Sequence, residues 1–201
     1  MIRRLFGRGS KPSAAVPRSD VTIQLLKGDW RCSCCGELHH GLMDIAAHSP
    51  DPWPHDRAYE PNSALRLEGD FLSEDFCVLD GEHFFVRSVL EIPVHGLDTP
   101  WGFGCWTTLS RANFEKYIAG FDDGEYEDNG PWFGWLSNQL KIYFEDPDPI
   151  GVDVFPQANR QRPKLFVKDE AHPLAIAQRD GITAEAMLTL LRAYGHGPTV
   201  Q

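Results

Sequence analysis

Residues 76–92 read FCVLDGEHFFVRSVLEI, and they carry the strongest β signal in the sequence. Two runs of aromatic and β-branched residues flank Asp80-Gly81, a residue pair that favours a tight turn between antiparallel strands. Pro93 follows the second run and ends it, because proline has no backbone N–H to donate to a sheet. The stretch therefore predicts a β-hairpin of residues 76–79 and 83–92.

Extended structure is also predicted on both sides of this hairpin. Residues 20–27 read DVTIQLLK, in which apolar and polar residues alternate; this favours a strand, with a short helix as the alternative. Aromatic and β-branched composition predicts further extended segments at residues 102–109, 132–136, 140–144 and 164–167. The prolines at positions 50, 52, 54 and 61 predict an irregular loop there.

Two helices are predicted, one in the middle and one at the end of the chain. Ser110 is suited to cap the first, because its hydroxyl can accept a backbone N–H of the opening turn. The buried side of this helix is predicted to consist of Phe114, Tyr117 and Ile118. Thr183 is suited to cap the second, over residues 184–194, which Gly195 ends. Together the elements predict an α+β fold with a mainly antiparallel sheet and a small Cys/His knuckle near the N-terminus.

Acidic and basic residues are unevenly distributed along the 201 residues. Nineteen Lys and Arg oppose 29 Asp and Glu, a net charge of −10, yet residues 1–19 hold five basic residues and no acidic one. Residues 20–201 therefore carry 14 basic and 29 acidic residues, or −15, which disfavours direct binding of nucleic acid by this part. No apolar run reaches the roughly 20 residues that span a bilayer, and no secretory signal is present, so we expect a cytoplasmic protein without a transmembrane segment.

Residues 1–19 are predicted to form a basic, flexible tail, because their Arg, Gly, Pro and Ser cannot bury enough surface to fold. Docking to a membrane surface or a partner is the alternative role for this tail. Its charge resembles that of a transit peptide, but glycines and prolines interrupt an amphipathic helix. Residues 20–201 are predicted to form one α+β domain, which includes the knuckle at residues 30–42.

Three of the five cysteines lie in the segment WRCSCCGELHH, at residues 30–40. Cys32 and Cys35 have the C-x-x-C spacing that lets two thiolates reach one metal ion. Gly36 lets the backbone turn around that ion, and His39 adds a nitrogen donor of the kind that zinc prefers. The segment therefore predicts three ligands of a structural zinc site.

The fourth ligand must come from elsewhere, because the sequence contains no second C-x-x-C pair. Cys77, at the start of the hairpin, is the preferred residue, and His40 is the second choice. Cys105 lies in a tryptophan-rich strand and is predicted to be a buried apolar residue. Two alternatives stay open for the C-x-x-C pair: a turn of reduced thiols without metal, and a thiol-redox function, although no βαβ pattern surrounds it.

Tryptophans and acidic residues are concentrated in residues 101–153. Four of the six tryptophans stand at positions 101, 106, 132 and 135, either as core residues or as anchors of a protein interface. Nine acidic residues and one lysine lie within residues 120–153, which indicates a solvated face, a surface for a basic partner or a site for a hard cation. The partner hypothesis assigns binding to Trp132, Trp135, Asp122, Asp123, Glu125, Glu127 and Asp128.

Two motifs resemble those of a known family. They are W-x-C-x-x-C-G-x-x-H at residues 30–39 and H-P-L-A-x-x-Q-x-x-G-I at residues 172–182. With these motifs the chain resembles a bacterial domain-of-unknown-function family, which supplies no activity. The resemblance covers most of the chain from residue 30 to residue 195, and it implies a ligand set of Cys32, Cys35, His39 and Cys77. It leaves His172 either as a functional residue or as a cap to the last helix.

The sequence lacks a nucleophile beside a base, a phosphate loop and a dinucleotide-binding glycine pattern. We therefore hypothesise a zinc-stabilised, non-enzymatic module, an adaptor or immunity-like protein, that binds a protein partner through its acidic, tryptophan-rich surface. The alternative is an enzyme, either a metal-dependent hydrolase or a thiol-redox protein, that uses the Cys/His knuckle. His83 or His172 would then assist as an acid or base.

Overall fold

The architecture comes from a computed structural model, which describes residues 20–126, 130–143 and 148–198. The described helices are α1 (Asp20–Lys27), α2 (Arg111–Phe121), α3 (Pro173–Asp180) and α4 (Ala184–Ala193). The described strands are β1 (Asp29–Arg31), β2 (Leu38–His40), β3 (Ile45–Ala46), β4 (Phe71–Leu72), β5 (Phe76–Leu79), β6 (His83–Ile92), β7 (Trp101–Leu109), β8 (Trp132–Trp135), β9 (Gly151–Phe155) and β10 (Lys164–Val167). A short 3-10 helix spans Asn62–Ala64. The predicted α+β class is confirmed, whereas the predicted tail at residues 1–19 lies outside the described residues.

The hairpin predicted from residues 76–92 is confirmed. β5 and β6 pair antiparallel, from Phe76 opposite Val86 to Leu79 opposite His83. Asp80 follows with a positive φ of 56° at the turn. β6 pairs along nearly its whole length with β7, while its other edge is shared by β5 and β10. β6 is therefore the strand around which the large sheet is built.

The large sheet curls until its last strand returns to β7. Its order is β3-β7-β6-β10-β9-β8, and only the β3–β7 and β10–β6 pairs are parallel. An isolated antiparallel bridge joins Thr107 of β7 to Leu136, directly after β8. The Trp135 N–H donates to Thr108 Oγ1 at 2.9 Å, and the Thr107 hydroxyl donates to the Trp135 carbonyl at 3.1 Å. Strands β6 to β10 thus close into a small barrel.

Alternating side chains of the barrel strands form the main core. On β9, Val152 and Val154 are fully buried, while the residues that alternate with them, Gly151, Asp153 and Phe155, are partly exposed. α2 packs on β6 and β7, α3 packs on β10 and β6, and α1 packs on α4. A smaller apolar cluster on the other side consists of Leu72, Cys77, Phe85 and Trp106. Within the described residues no helix has the length and apolar character needed to cross a membrane.

The strand predicted for residues 20–27 is wrong, and the alternative, a helix, is observed as α1. Thr22, Leu25 and Leu26 are buried, whereas Ile23 is 52 % exposed. Burial therefore follows the i, i+3, i+4 spacing of a helix rather than strand alternation. The apparent alternation arose because Thr22, a polar residue, lies on the buried side.

Four further differences concern the second half of the chain. Residues 140–143 form a turn instead of the predicted extended segment, with the Tyr143 N–H donating to the Leu140 carbonyl at 2.8 Å; residue 144 lies outside the described residues. Strand β9 and helix α3 were not predicted. His172 caps α3, since its Nδ1 accepts the Leu174 N–H at 3.1 Å, and it does not cap the last helix.

Ser110 offers a local test of the fold. Its hydroxyl accepts the Asn113 N–H at 3.3 Å, which caps α2 as predicted. The Ser110→Ala substitution is expected to lower the free energy of unfolding by about 1 kcal/mol, because it leaves that N–H without its partner. Urea unfolding followed by circular dichroism measures the change, and the conservative Ser110→Thr variant should retain most of the stability. Equal stability of Ser110→Ala and wild type would show that the cap contributes nothing.

Candidate functional site

The Cys/His knuckle lies on a separate two-stranded sheet, β1–β2, outside the barrel. Its register places Trp30 opposite His39. Between the strands the Gly36 N–H donates to the Cys32 carbonyl at 3.0 Å, and the Cys32 N–H donates to the Glu37 carbonyl at 2.8 Å. Gly36 has a φ of 73°, a left-handed conformation that glycine adopts without strain. This tight turn brings the two ends of the C-x-x-C segment together.

The three ligands predicted within the knuckle are gathered at one point. The donor atoms of Cys32, Cys35 and His39 all lie within 4.8 Å of one another. Two sulfur donors and one imidazole nitrogen form a set that suits zinc and related soft or borderline metals. Within the described residues this is the one cluster of three or more His, Cys, Asp or Glu side chains that can hold a metal ion.

The thiol of Cys32 is adapted to the ionised form that binds metals. The residue is 1 % exposed. Burial of the Cys32 thiol opposes its ionisation. Hydrogen bonds from the backbone of Cys35 and Cys34 outweigh this effect, and hydrogen bonds from the His196 ring and the Gly197 backbone act in the same direction. Together they lower the pKa of Cys32 to about 5. Cys32 is therefore a thiolate at neutral pH, with backbone amides directed at its sulfur as in a metal knuckle.

The imidazole of His39 is positioned by Trp30. The two ring centroids lie 4.7 Å apart, and the Trp30 indole N–H donates to the Gly41 carbonyl at 2.8 Å, which fixes the indole. The Nε2 atom of His39 is buried, and none of the described residues forms a hydrogen bond with it. A buried nitrogen of this kind requires a partner, and a metal ion would supply one.

The structure does not bring the other candidate ligands to this point. Cys77 packs in the small cluster beside Trp106, and burial raises the pKa of its thiol to about 12. His40 follows His39 on β2 and therefore points to the opposite face, where its Nδ1 lies 2.6 Å from Asp29 Oδ1. Neither residue belongs to the three-donor group of the described chain. Cys105 is fully buried, as predicted for an apolar role.

A histidine that the sequence did not single out lies at the knuckle. The Nδ1 atom of His196 is 3.4 Å from the sulfur of Cys32, across 164 positions of sequence. It follows α4 near the C-terminus, where no Cys or His spacing indicates a ligand. Long-range packing, including that of α4 on α1, brings it to the knuckle.

The residues predicted to bind a partner occupy different environments. Trp132 is 4 % exposed, so its indole belongs to the core and offers no surface to a partner. Trp135 is 44 % exposed and its neighbour on the same face, Phe133, is 47 % exposed. Their ring centroids lie 5.0 Å apart with nearly perpendicular planes. Phe133 was not assigned to the partner-binding surface from the sequence, because only the neighbouring tryptophans were considered. Alternation along β8 places Phe133 and Trp135 on the same outer face.

Three of the predicted acidic residues lie on the surface after α2. Asp122, Asp123 and Glu125 are exposed, whereas Glu127 and Asp128 lie outside the described residues. The Asp122 carbonyl accepts a hydrogen bond from Arg160 Nε, so a cation lies beside this segment. Asp153 is also paired, with Lys168 Nζ 2.6 Å from its Oδ1. Within the described residues, Arg160 and Lys168 thus place positive charge beside two parts of the acidic segment.

A polar cleft of about 610 Å³ lies beside the proline-rich loop, and the sequence did not reveal it. His48 lines it, stacked on Tyr59 with ring centroids 4.1 Å apart. Burial, together with the charges of Arg57 and Arg87, lowers the pKa of His48, so the ring is neutral at pH 7. These residues come from different segments, and no motif connects them in the sequence.

Comparison with known proteins identifies a family. A family model described as "Uncharacterized protein conserved in bacteria (DUF2199)" matches residues 31–182. The resemblance to a bacterial family of unknown function is therefore confirmed, and the match covers residues 31–182 where the sequence suggested 30–195. Searches of curated proteins and of solved structures gave no match.

Proposed function

Because the chain belongs to DUF2199, a family of uncharacterized proteins conserved in bacteria, we propose its function from its own residues: a zinc-stabilised module that binds another protein. The observation that carries this proposal is the exposed aromatic pair of Phe133 and Trp135 on β8. Adjacent exposed aromatic rings are unfavourable in water and are typical anchors of protein interfaces. The chain is then an adaptor or an immunity-like protein.

The outer face of the barrel extends this aromatic surface. Phe133 lies opposite Asp153 on β9, which in turn lies opposite Phe166 on β10. Phe166 is 49 % exposed, and its ring centroid lies 5.4 Å from that of Phe155. Asp153 lies between the rings of Phe133 and Phe166. Its charge is balanced by the ion pair with Lys168, so the surface between the two rings carries little net charge. We define the aromatic face as Phe133, Trp135, Phe155 and Phe166.

Charge supports a basic protein as the partner. Residues 20–201 carry −15, and Asp122, Asp123 and Glu125 are exposed. Such an excess of negative charge accelerates encounter with a positively charged protein and repels nucleic acid. Aromatic anchors then supply the affinity, since rim charges contribute mainly to the rate of association.

The knuckle supports the metal part of the proposal. Two sulfurs and an imidazole nitrogen are three of the four donors of a structural zinc site of cysteines and histidines. All five cysteines are free, which fits a protein of the reducing cytoplasm. Zinc bound there would hold β1, β2 and their turn in one conformation, a stabilising role that needs no reaction at the metal.

The thiol-redox activity is the second candidate, and the pKa of Cys32, about 5, is the observation that favours it. A low-pKa thiolate three residues from a second cysteine is typical of thiol–disulfide exchange. Cys32 is only 1 % exposed, however, while Cys35 is exposed. Attack on an external disulfide requires the thiolate to be accessible, so this burial favours the metal-binding role.

The proposed surface is tested by partner capture from a bacterial lysate with the full chain. The double substitution Phe133→Ser and Trp135→Ser is expected to weaken binding roughly 30-fold or more, because the loss of even one anchor costs about 2 kcal/mol and the contributions of neighbouring anchors do not simply add. The triple substitution Asp122→Asn, Asp123→Asn and Glu125→Gln should slow association and reduce its dependence on salt. Quantitative mass spectrometry and biolayer interferometry with the captured protein measure both effects.

The matched control for this experiment is Ile176→Ser, which removes an apolar side chain of α3 that is 40 % exposed. This variant should capture the partner as the wild type does. Undiminished capture by the Phe133→Ser, Trp135→Ser chain would exclude the aromatic pair as the interface. Undiminished association of the acidic triple variant would exclude charge steering by that segment.

A further inference from the structure

We infer that His196 is the fourth ligand of the metal centre, so that the C-terminal end of α4 closes the knuckle. The inference rests on the metal part of the proposed function and completes its ligand set. The Nδ1 atom of His196 lies 3.4 Å from Cys32 Sγ. In a tetrahedral zinc site with Zn–S near 2.3 Å and Zn–N near 2.0 Å, sulfur and nitrogen are about 3.5 Å apart. The observed pair therefore has the spacing of one edge of such a site.

Backbone contacts hold His196 beside the knuckle. The Ser33 N–H donates to the Gly197 carbonyl at 2.9 Å, and Cys32 forms an isolated antiparallel bridge with Pro198. The segment after α4 therefore pairs with the C-x-x-C turn as a short strand would. Because the backbone next to His196 is hydrogen-bonded to the knuckle, the histidine is held at a defined distance from the Cys32 sulfur.

The end of α4 directs His196 toward the knuckle. Gly195 has a φ of 81°, and the His196 N–H donates to the Leu191 carbonyl at 2.9 Å. This geometry ends the helix and turns the chain away from its axis. α4 itself packs on α1, which leads directly into β1 and the knuckle. Two helices thus set the distance between His196 and Cys32.

The remaining candidates are less suitable as the fourth donor. Cys34 is exposed and lies inside the C-x-x-C segment, His40 pairs with Asp29 on the other face of β2, and Cys77 is buried beside Trp106. His196 lies outside the group whose donor atoms are all within 4.8 Å of one another. Binding of a metal would therefore draw its imidazole and the other three donors closer together around one centre.

A set of two cysteines and two histidines has a chemical consequence. Four protein ligands close a zinc site to water, which is typical of structural zinc, whereas three ligands and a water are typical of catalytic zinc. With His196 bound, the metal would link β1 and β2 to the end of α4. His196 also lies beyond residues 31–182, the part that the family model matches. The ligand set is thus completed by a residue outside the matched range.

Cobalt substitution of the full chain tests this assignment, because the visible absorption of Co²⁺ reports the number and kind of its ligands. The wild type should bind one Co²⁺ with the intense bands of a four-coordinate site of two sulfurs and two nitrogens. His196→Ala is expected to weaken Co²⁺ binding by tenfold or more and to change the bands, as water replaces the imidazole. His196→Cys should restore tight binding and add sulfur-to-cobalt charge-transfer absorption. No such added absorption is expected if residue 196 only supports the fold and does not bind the metal.

His40→Ala is the matched control, and it should leave the affinity and the spectrum unchanged. Wild-type binding of Co²⁺ with the same affinity and bands in His196→Ala would overturn the assignment of His196 and leave the metal centre intact. A wild-type chain that binds no Co²⁺ would overturn the metal centre itself. If His196→Ala does not fold, a His196→Cys chain that binds Co²⁺ without added charge-transfer absorption overturns the assignment.

Discussion

Replacing Cys32 with serine is expected to abolish metal binding and to lower the thermal unfolding midpoint more than any other substitution in the knuckle. Cys32 belongs to the three-donor group, is 1 % exposed and accepts backbone hydrogen bonds at its sulfur. Serine supplies no thiolate, so the chain loses a metal-binding sulfur. A metal present at a thousand times its dissociation constant stabilises the folded state by about 4 kcal/mol. Loss of that contribution corresponds to roughly 10 °C in a chain of this size.

Elemental analysis of untagged protein and thermal melts with and without a chelator measure this prediction. Cys34→Ser is the matched control, because Cys34 is exposed and lies outside the three-donor group. Chelation should lower the midpoint of wild type and of Cys34→Ser, and it should leave Cys32→Ser unchanged. Full metal occupancy in Cys32→Ser would contradict the prediction. A wild type that is native without metal would favour the thiol-redox candidate.

Gly134→Ala is expected to destabilise the protein by about 3 kcal/mol, the upper part of the range for overpacking. A Cβ at this position would lie 2.5 Å from Thr107 Oγ1, and closer still to the Thr108 carbonyl oxygen. Both atoms belong to β7, which is already paired with β3 and β6, so β8 would have to move away. That movement would stretch the hydrogen bonds between Trp135 and the two threonines, which close the barrel.

Urea unfolding gives the change in free energy, and hydrogen exchange of β8 amides shows where the barrel opens. Gly151→Ala is the control on the neighbouring strand. Its Cβ would meet the Phe133 ring at 3.2 Å, and that exposed ring can turn aside. A loss of less than 1 kcal/mol is therefore expected for the control. Equal stability of the two variants would show that β8 does not depend on close contact with β7.

Local sequence signals predicted the parts of the fold that depend on neighbouring residues. The Asp80-Gly81 turn and its flanking aromatic runs predicted the hairpin, and the caps Ser110 and Thr183 predicted two helices. The helix α1 was misread because eight residues give little periodicity, and Thr22 is a polar residue on the buried side. Short elements leave too few positions to distinguish the two periods.

The parts that were missed depend on residues far apart in the sequence. The turn that gathers Cys32, Cys35 and His39 is local, and its spacing predicted the three-donor group. His196 reaches this group only after the whole chain has folded, so no spacing could indicate it. Trp132 and Trp135 have the same chemistry, and only the strand they share places one in the core and the other on the surface.

The bridge between Cys32 and Pro198 joins two segments that are synthesised at different times. The ribosome adds about 5 to 20 residues per second, so the segment that follows α4 is made roughly 10 to 30 s after the C-x-x-C turn. The nascent chain holds the two thiols and His39 throughout this interval, without the residue that closes the site. With His196 as the fourth ligand, the complete set of four donors exists only after α4 and the segment behind it have been made and have paired with the C-x-x-C turn.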